Sequence, residues 1–437
     1  MMDQVTVMEP TIVFDDDQLA AIEACCNVDS RIVAITGKAG TGKTLLIREI
    51  HRRLSLAGYS VGCSAPTGKA AKRIRESTGL EAQTNHRMLG FGMPIEVEET
   101  NAKGKTVILK LSTGPRFDRR RPMYYDTILC DEYAMVNQEI NRNLIDALKP
   151  GGRICMFGDV NQLKPIEENR NLQDEPSAFQ RALSKFKGIE LRTIHRQEEG
   201  SGIADNGARI LLGRMPQKHG DFDIYMTTEP VRDIQTFVDR STAAGIDYST
   251  TDCQIITSMN KSWIGTKKLN LVIQDMFWKR ELPGLTLSRH KWEGEDTAIR
   301  VQVGSKVVYT ANTYDLGNEQ SVFNGEVGIV VEINHEEDSL DIDFGDRIVT
   351  VPPLLIVVKD NGQVSEIDPR KNIDLAYVLT THKMQGSECK HVCYIMNRST
   401  VYAQSRRNFY TGITRAREHC SVIADLISLT KSTKFPG

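Results

Sequence analysis

The chain has 437 residues, 40% hydrophobic and 26% charged, which is long enough for more than one buried core and too apolar for a disordered chain. Lys and Arg total 55 against 57 Asp and Glu, a net charge of −2, which excludes a polycation that coats nucleic acid by charge alone. Any nucleic-acid contact must therefore come from a localised surface. From the N-terminus, residues 31–36 form a β-branched run predicted as a strand, followed by a glycine-rich turn and a helical pattern through Leu45, Leu46, Ile47, Ile50 and Leu54. Residues 60–65 read as a strand and 69–76 as a basic helix. Residues 126–130 and 153–157 read as buried strands, with an amphipathic helix over 137–148 between them. The alternation restarts with a strand at 253–257, a mostly helical stretch at 261–279, a strand at 375–380, a helix at 404–414 and a strand at 420–424. Strands alternating with helices predict parallel sheets covered on both faces.

Two segments interrupt this rhythm. Between Pro94 and Pro122, alternating Ile95 and Val97, a Lys-Gly-Lys turn and Val107-Ile108-Leu109 predict a β-hairpin. Residues 101–125 carry seven basic residues, Lys103, Lys105, Lys110, Arg116, Arg119, Arg120 and Arg121, against the single acid Asp118. Residues 282–370 hold short β-rich runs between glycines, read as a small inserted barrel. The nine cysteines are scattered, with no Cys-x-x-Cys pair and no zinc-finger spacing, which argues for a reducing compartment and no structural metal. No apolar run reaches the roughly 18 residues of a membrane span, and Met1-Met2-Asp3-Gln4 lacks the order of a signal peptide. The expectation is a cytoplasmic protein of a bacterial cell or phage-infected host, with no membrane partner.

The chemistry starts at Gly37-Lys38-Ala39-Gly40-Thr41-Gly42-Lys43-Thr44, which satisfies G-x-x-x-x-G-K-[ST] between a predicted strand and a predicted helix. Backbone N–H groups of Gly37, Gly40, Thr41 and Gly42 can converge on phosphate oxygens at the helix N-terminus, Lys43 can reach the β/γ-phosphates, and Thr44 can ligate Mg²⁺. A strand ending in Asp131-Glu132 supplies a second Mg²⁺ partner in Asp131 and a group in Glu132 able to orient or deprotonate an attacking water. Gln162, in Gly158-Asp159-Val160-Asn161-Gln162, follows the next strand and can sense the γ-phosphate or that water. ATP and Mg²⁺ are the expected ligands; the absence of an Asn-Lys-x-Asp signature argues against a small GTPase.

In this order the motifs resemble the superfamily 1 (1B) DNA helicases, particularly their RecD/Dda-like branch, from about residue 18 to 417. Asp17-Gln18 resembles the adenine-reading glutamine. Ala65-Pro66-Thr67-Gly68 and Thr84-Asn85-His86 look like strand-contacting segments, implicating Pro66, Thr67, Thr84 and His86. Thr193-Ile194-His195-Arg196 is similar to the segment whose arginine, here Arg196, reaches the γ-phosphate. Thr381-His382-Lys383-Met384-Gln385-Gly386-Ser387-Glu388 resembles the motif that links strand contacts, Thr381 and His382, to the nucleotide, Gly386 and Glu388. Tyr410-Thr411-Gly412-Ile413-Thr414-Arg415 resembles the motif that supplies a second arginine finger, Arg415.

The resemblance implies two RecA-like P-loop α/β domains in tandem. The first motor domain spans 1–89 and 123–195, with a hairpin wedge or pin at 90–122. The second spans 196–281 and 371–437, with an SH3-like β-barrel at 282–370. It implies an ATP-dependent helicase that moves 5′→3′ on single-stranded DNA and opens a forked duplex, acting as a monomer, with single-strand-binding protein or replisome components as possible partners. A DNA-stimulated ATPase that does not unwind, and an RNA helicase of the same superfamily, share these motifs. The compact length fits a small accessory motor of replication, recombination or repair.

Overall fold

The computed structural model describes residues 13–91, 95–100, 106–111, 114–167, 169–186, 188–195, 200–287, 298–313, 316, 321–358 and 364–436, with backbone alone at 95–100, 106–111, 170, 357–358 and 364–365. The first unit runs α1 (Asp16–Cys26), β1 (Ile32–Gly37), α2 (Lys43–Leu56), β2 (Val61–Ala65), α3 (Gly68–Thr78), β3 (Ala82–Thr84) and α4 (Asn85–Met88). It continues with the strands β4 (Ile95–Thr100) and β5 (Thr106–Leu111), then β6 (Thr127–Cys130), α5 (Gln138–Asp146), β7 (Arg153–Gly158), α6 (Ala178–Lys185) and β8 (Ile189–Leu191). Six of these strands form a parallel sheet in the order β3-β2-β6-β7-β1-β8.

Strand periodicity explains why both faces of this sheet are covered. Along β1, Val33 and Ile35 join one core with α1, α2 and α3. The alternate residue Ala34 joins a second core with α5 and α6, against which Ile32 also packs. In β7, Cys155 and Phe157 face the first core, and Ile154 and Met156 the second. A strand apolar on both faces reads as a continuous run, which is why β6 and β7 were legible without alternation.

The second unit comprises α7 (Gly202–Leu211), β9 (Phe222–Met226), α8 (Pro230–Ala243), β10 (Cys253–Thr257), α9 (Thr266–Phe277), β11 (Leu285–Leu287), β12 (Ile299–Val301), β13 (Lys306–Tyr309), β14 (Val327–Asn334), β15 (Ser339–Asp343), β16 (Ile348–Val351), β17 (Leu355–Val358), β18 (Val364–Ile367) and β19 (Ile373–Leu375). It closes with β20 (Val378–Thr380), α10 (Thr381–Met384), β21 (Cys389–Met396), α11 (Arg406–Ile413), β22 (Ala416–Ala424) and α12 (Leu426–Lys434). A parallel sheet in the order β20-β10-β21-β22-β9 carries this unit. The two parallel α/β sheets in tandem fit the RecA-like arrangement.

The interrupting segments are β-structured. Strands β4 and β5 pair antiparallel, Ile95 opposite Leu111 and Thr100 opposite Thr106; residues 101–105, with Lys103 and Lys105, lie outside the described residues. Strands β13 to β16 and β19 form an antiparallel sheet in the order β16-β15-β14-β13-β19. The run 375–380, read from sequence as one strand, divides. Residues up to Leu375 pair with β13, and Val378 onward pairs with β10. The inserted sheet is not a separate body, because Val307, Tyr309, Val330, Leu340 and Ile342 share one core with Ile255, Cys393 and Ile423 of the second parallel sheet. The buried Lys306 Nζ adds a hydrogen bond to Cys253 O at 2.6 Å.

Candidate functional site

Three neighbouring strands, β6, β7 and β1, deliver the expected groups to the carboxyl edge of the first sheet. The turn after β1 enters α2 through Gly42, whose left-handed φ of 81° would strain any side chain. A Cβ there would also come within 2.7 Å of Gln18 Nε2. Lys43 opens α2 and its Nζ lies over the turn, donating to Gly37 O (2.8 Å) and Lys38 O (2.9 Å). Buried Thr41 closes the turn by donating from Oγ1 to Lys38 O (3.0 Å).

Beyond β6, Asp131 Oδ1 accepts from Glu132 N (2.8 Å). Burial, and then the charge of Glu132 beside it, push the Asp131 carboxyl up to about 6, with Lys43 and Arg73 pulling the other way. Glu132 has left-handed backbone, φ 50° and ψ 38°, a strained conformation for a residue with a side chain. Its Oε2 is buried without a hydrogen-bond partner, as is Gln162 Oε1.

These groups line one cavity with residues of the second unit. Gly40, Gly42, Lys43, Thr44, Asp131, Glu132 and Gln162 face Glu388 and Arg415 there. Glu388 just precedes β21 and Arg415 just precedes β22, so the cavity lies between the carboxyl edge of one sheet and the amino edge of the other. Arg415 is 1% exposed, and its guanidinium donates to Thr411 O (3.0 Å), Ser387 O (3.4 Å) and Thr414 Oγ1 (3.4 Å). A triphosphate fits this donor set: a glycine turn at a helix N-terminus, a lysine and a buried arginine. Among the described residues no cluster of three or more His, Cys, Asp or Glu could hold a metal by itself. A Mg²⁺ here would take Thr44, Asp131, water and phosphate oxygens, the mixed shell that this ion prefers.

The remaining expected residues are placed unequally. Arg196 lies outside the described residues. Its neighbour His195 is tethered to the glycine turn, its N–H donating to Gly40 O (2.8 Å) and its Nε2 lying 2.8 Å from Asp15 Oδ2. Gln18 is buried, its Oε1 accepting from Asp15 N and its Nε2 donating to Thr41 O (3.2 Å), so its amide braces the turn from behind. Thr67 lies two residues beyond β2 and Thr84 is the last residue of β3, each hydroxyl capping a helix by accepting from Ala70 N or Arg87 N (3.2 Å each). Pro66 is half-buried, and His86 and His382 are exposed. Thr381 departs from expectation. It is fully buried and its Oγ1 donates to Asn408 Oδ1 (2.6 Å), so its side chain supports α10 from inside and does not face a strand.

Sequence reasoning missed a set of residues that bind the two units together. The loop carrying Gln162 is held by α11. Tyr410 OH donates to Asp159 Oδ2 (2.8 Å), and Arg407 Nη1 to Val160 O (2.8 Å) and Gln162 O (3.2 Å). Leu163 N donates to Thr411 Oγ1 (3.0 Å), and Gln385 Nε2 to Leu163 O (3.3 Å). Arg73 of α3 also lines the cavity and pairs with Glu388 across it, Nη2 to Oε1 at 3.0 Å. The signal available for α11 was its spacing, since Arg407, Tyr410 and Thr411 fall on one helical stripe.

A family model described as an AAA domain matches residues 18–168, and one described as a UvrD-like helicase C-terminal domain matches residues 375–423. An ATP-dependent RecD2 DNA helicase of Deinococcus radiodurans is 30% identical over 392 residues, covering 89% of this chain and 46% of the relative. Together these matches make the chain similar to RecD-like and UvrD-like superfamily 1 helicases. It spans about half the length of the Deinococcus relative. Among solved structures, this RecD/Pif1-like fold is matched by two coordinating Pif1 helicases at forked dsDNA, with TM-score 0.60, 17% identity, and coverage of 98% of this chain and 95% of that one. Bacteroides Pif1 bound to ssDNA gives TM-score 0.59, 18% identity and the same coverages.

The raised Asp131 carboxyl gives the chain a pH signature. The folded state holds that proton more tightly than the unfolded chain, so the residue's contribution to stability falls as pH rises from about 4 to 6. Without nucleotide or divalent ion, Asp131→Asn is expected to melt higher than the parent at pH 7.5, and the gain should shrink as pH is lowered through 6. Thermal unfolding across pH 5–8 checks this; an equal difference at every pH would rule it out.

Proposed function

We propose that the chain is an ATP-driven DNA helicase that moves on single-stranded DNA, 5′→3′, and opens duplex at a fork. The observation carrying this reading is that one cavity collects Lys43, Thr44, Asp131, Glu132 and Gln162 from the first unit and Glu388 and Arg415 from the second. In this reading the glycine turn and Lys43 hold the β- and γ-phosphates, Thr44 and Asp131 hold Mg²⁺, and Glu132 takes the proton of the attacking water. Gln162 orients that water, and Arg415, with Arg196, offsets charge that develops on the γ-oxygens. Mg²⁺ supplies charge neutralisation at the β- and γ-oxygens when bound.

Because the donors belong to two bodies, catalysis requires the cleft to close, and each hydrolysis permits it to reopen. Pro66, Thr67, Thr84 and His86 on one body, with His382 on the other, would hold a strand whose grip alternates as the cleft moves. Contacts to phosphate carry no base sequence, which suits a motor that passes over any template. We read β4–β5 and its basic flank as the wedge at the fork, and β11–β18 as the small barrel of the second motor unit. The likeness to Pif1 with ssDNA and at forked dsDNA, and to a RecD2 DNA helicase, supports single-stranded and forked DNA as the substrates; the 5′→3′ sense follows from the motif resemblance alone.

The test is strand separation on forked duplexes bearing only a 5′ or only a 3′ single-stranded tail, with Mg-ATP and with a non-hydrolysable analogue. Unwinding of the 5′-tailed substrate with ATP alone is expected. Opening of the 3′-tailed substrate would reverse the polarity. ATP hydrolysis stimulated by oligo-dT without strand separation on either substrate would reduce the protein to a translocase, and stronger stimulation by oligo-U would assign it to RNA.

A further inference from the structure

Helix α3 touches both the expected strand site and the nucleotide cavity. Thr67 caps its first turn and Gly68 is its first residue. Arg73 lies six residues beyond Thr67, about 9 Å along the axis at 1.5 Å per residue. Its guanidinium lines the cavity beside Lys43, Asp131 and Glu132, and meets Glu388 Oε1 at 3.0 Å. Burial opposes the charge on Arg73, but Glu388, Glu132 and Asp131 outweigh it and hold the guanidinium more basic than usual.

The partner stretch from the second unit meets α3 twice. Glu388 reaches Arg73, and two residues earlier Gly386, with φ 74°, lies against the start of the helix. A Cβ on Gly386 would sit 3.5 Å from both Thr67 Oγ1 and Ala70 Cβ. The helix is fixed on a further side by Lys72, whose Nζ is 2.6 Å from Asp346 Oδ1 of the inserted sheet, and by Gly68, where a Cβ would run into the Phe323 side chain. A displacement at Thr67 therefore has a stiff path to the cavity through α3 and residues 386–388.

We infer that Arg73 is a positioning residue which, through its ion pair with Glu388, couples strand occupancy at Pro66 and Thr67 to nucleotide binding in the cleft. A strand seated on the start of α3 shifts the helix relative to residues 386–388. The Arg73–Glu388 pair converts that shift into a change in how Glu388 and the two units present themselves to the nucleotide. Linkage makes the effect reciprocal, so nucleotide in the cavity changes the affinity for a strand by the same factor. This inference rests on the proposed nucleotide and strand sites.

The experiment measures the affinity of the full chain for a fluorescent oligo-dT, with and without a non-hydrolysable ATP analogue and Mg²⁺. The parent protein is expected to show at least a five-fold difference between the two conditions, the lower end of ordinary coupling. Arg73→Ala should bring that ratio to within two-fold of unity, Glu388→Gln should do the same, and the double variant should differ from neither. Arg73→Lys keeps the charge and loses the planar fork, and should give an intermediate ratio. A ratio in Arg73→Ala and Glu388→Gln that stays within two-fold of the parent overturns the inference, as does a parent that binds both ligands without coupling. A parent that binds neither ligand overturns instead the proposed function on which the inference rests.

Discussion

Replacing Arg415 with alanine is expected to lower DNA-stimulated ATP turnover by about 10³–10⁵, the usual range for loss of an arginine finger, while the KM for ATP stays within a few-fold. The geometry explains the split. The guanidinium is buried at 1% exposure and donates to three uncharged oxygens, Thr411 O, Ser387 O and Thr414 Oγ1, which orient it without neutralising it. It stands across the cavity from the glycine turn and Lys43, whose N–H and ammonium groups are sufficient for ground-state binding. Charge that grows on the γ-oxygens in the transition state is what a preoriented cation on the far wall stabilises. Arg415→Lys keeps the charge but not the fork that is anchored on Thr411 and Ser387, so it should recover only part of the loss. Steady-state hydrolysis with saturating oligo-dT, beside binding of a fluorescent nucleotide, checks both halves. A kcat near the parent value would separate Arg415 from the chemistry.

Glu132→Gln is expected to reduce turnover by about 10²–10⁴, the contribution of a positioned general base, with nucleotide binding retained. The swap is nearly isosteric, so the left-handed backbone at φ 50° and the hydrogen bond from Glu132 N to Asp131 Oδ1 can persist. The parent carboxylate keeps Oε2 buried with no hydrogen-bond partner. The glutamine fills the same space, so the stability of the variant should stay close to that of the parent. Loss of hydrolysis together with an unchanged melting temperature is therefore the expected pair of results. A variant that turns over ATP normally would assign the base elsewhere in the cavity.

Much of this site was legible because its parts are contiguous in sequence. The glycine turn and Asp131-Glu132 each occupy consecutive residues at a strand end, so local pattern and chemistry coincide. Arg407, Tyr410, Thr411 and Arg73 were not legible for the opposite reason. Their partners are far away along the chain, 247 residues between Arg407 and Val160, and no local pattern encodes such a meeting. Thr381 failed differently. In the four-residue helix α10 it adjoins exposed His382, but neighbouring helical residues point about 100° apart, and Thr381 turns inward to Asn408. The run 375–380 was read as one strand because both halves are equally apolar. Only tertiary pairing reveals that Leu375 and Val378 belong to different sheets.

The shared core of the inserted sheet and the second parallel sheet has a consequence for dissecting the protein. Among the described residues, strands β4 and β5 pair with each other and with no other strand, so a shortened loop could replace that appendage without unpairing a strand of either parallel sheet. The inserted sheet admits no comparable surgery. Excising it would bare Ile255, Cys393 and their neighbours to water, and burying one such aliphatic side chain is worth about 1.5–3 kcal/mol. It is a fused outrigger: whatever rotation the second unit makes, Asp346 and Phe323 are swept with it, and their seats on α3 register the angle.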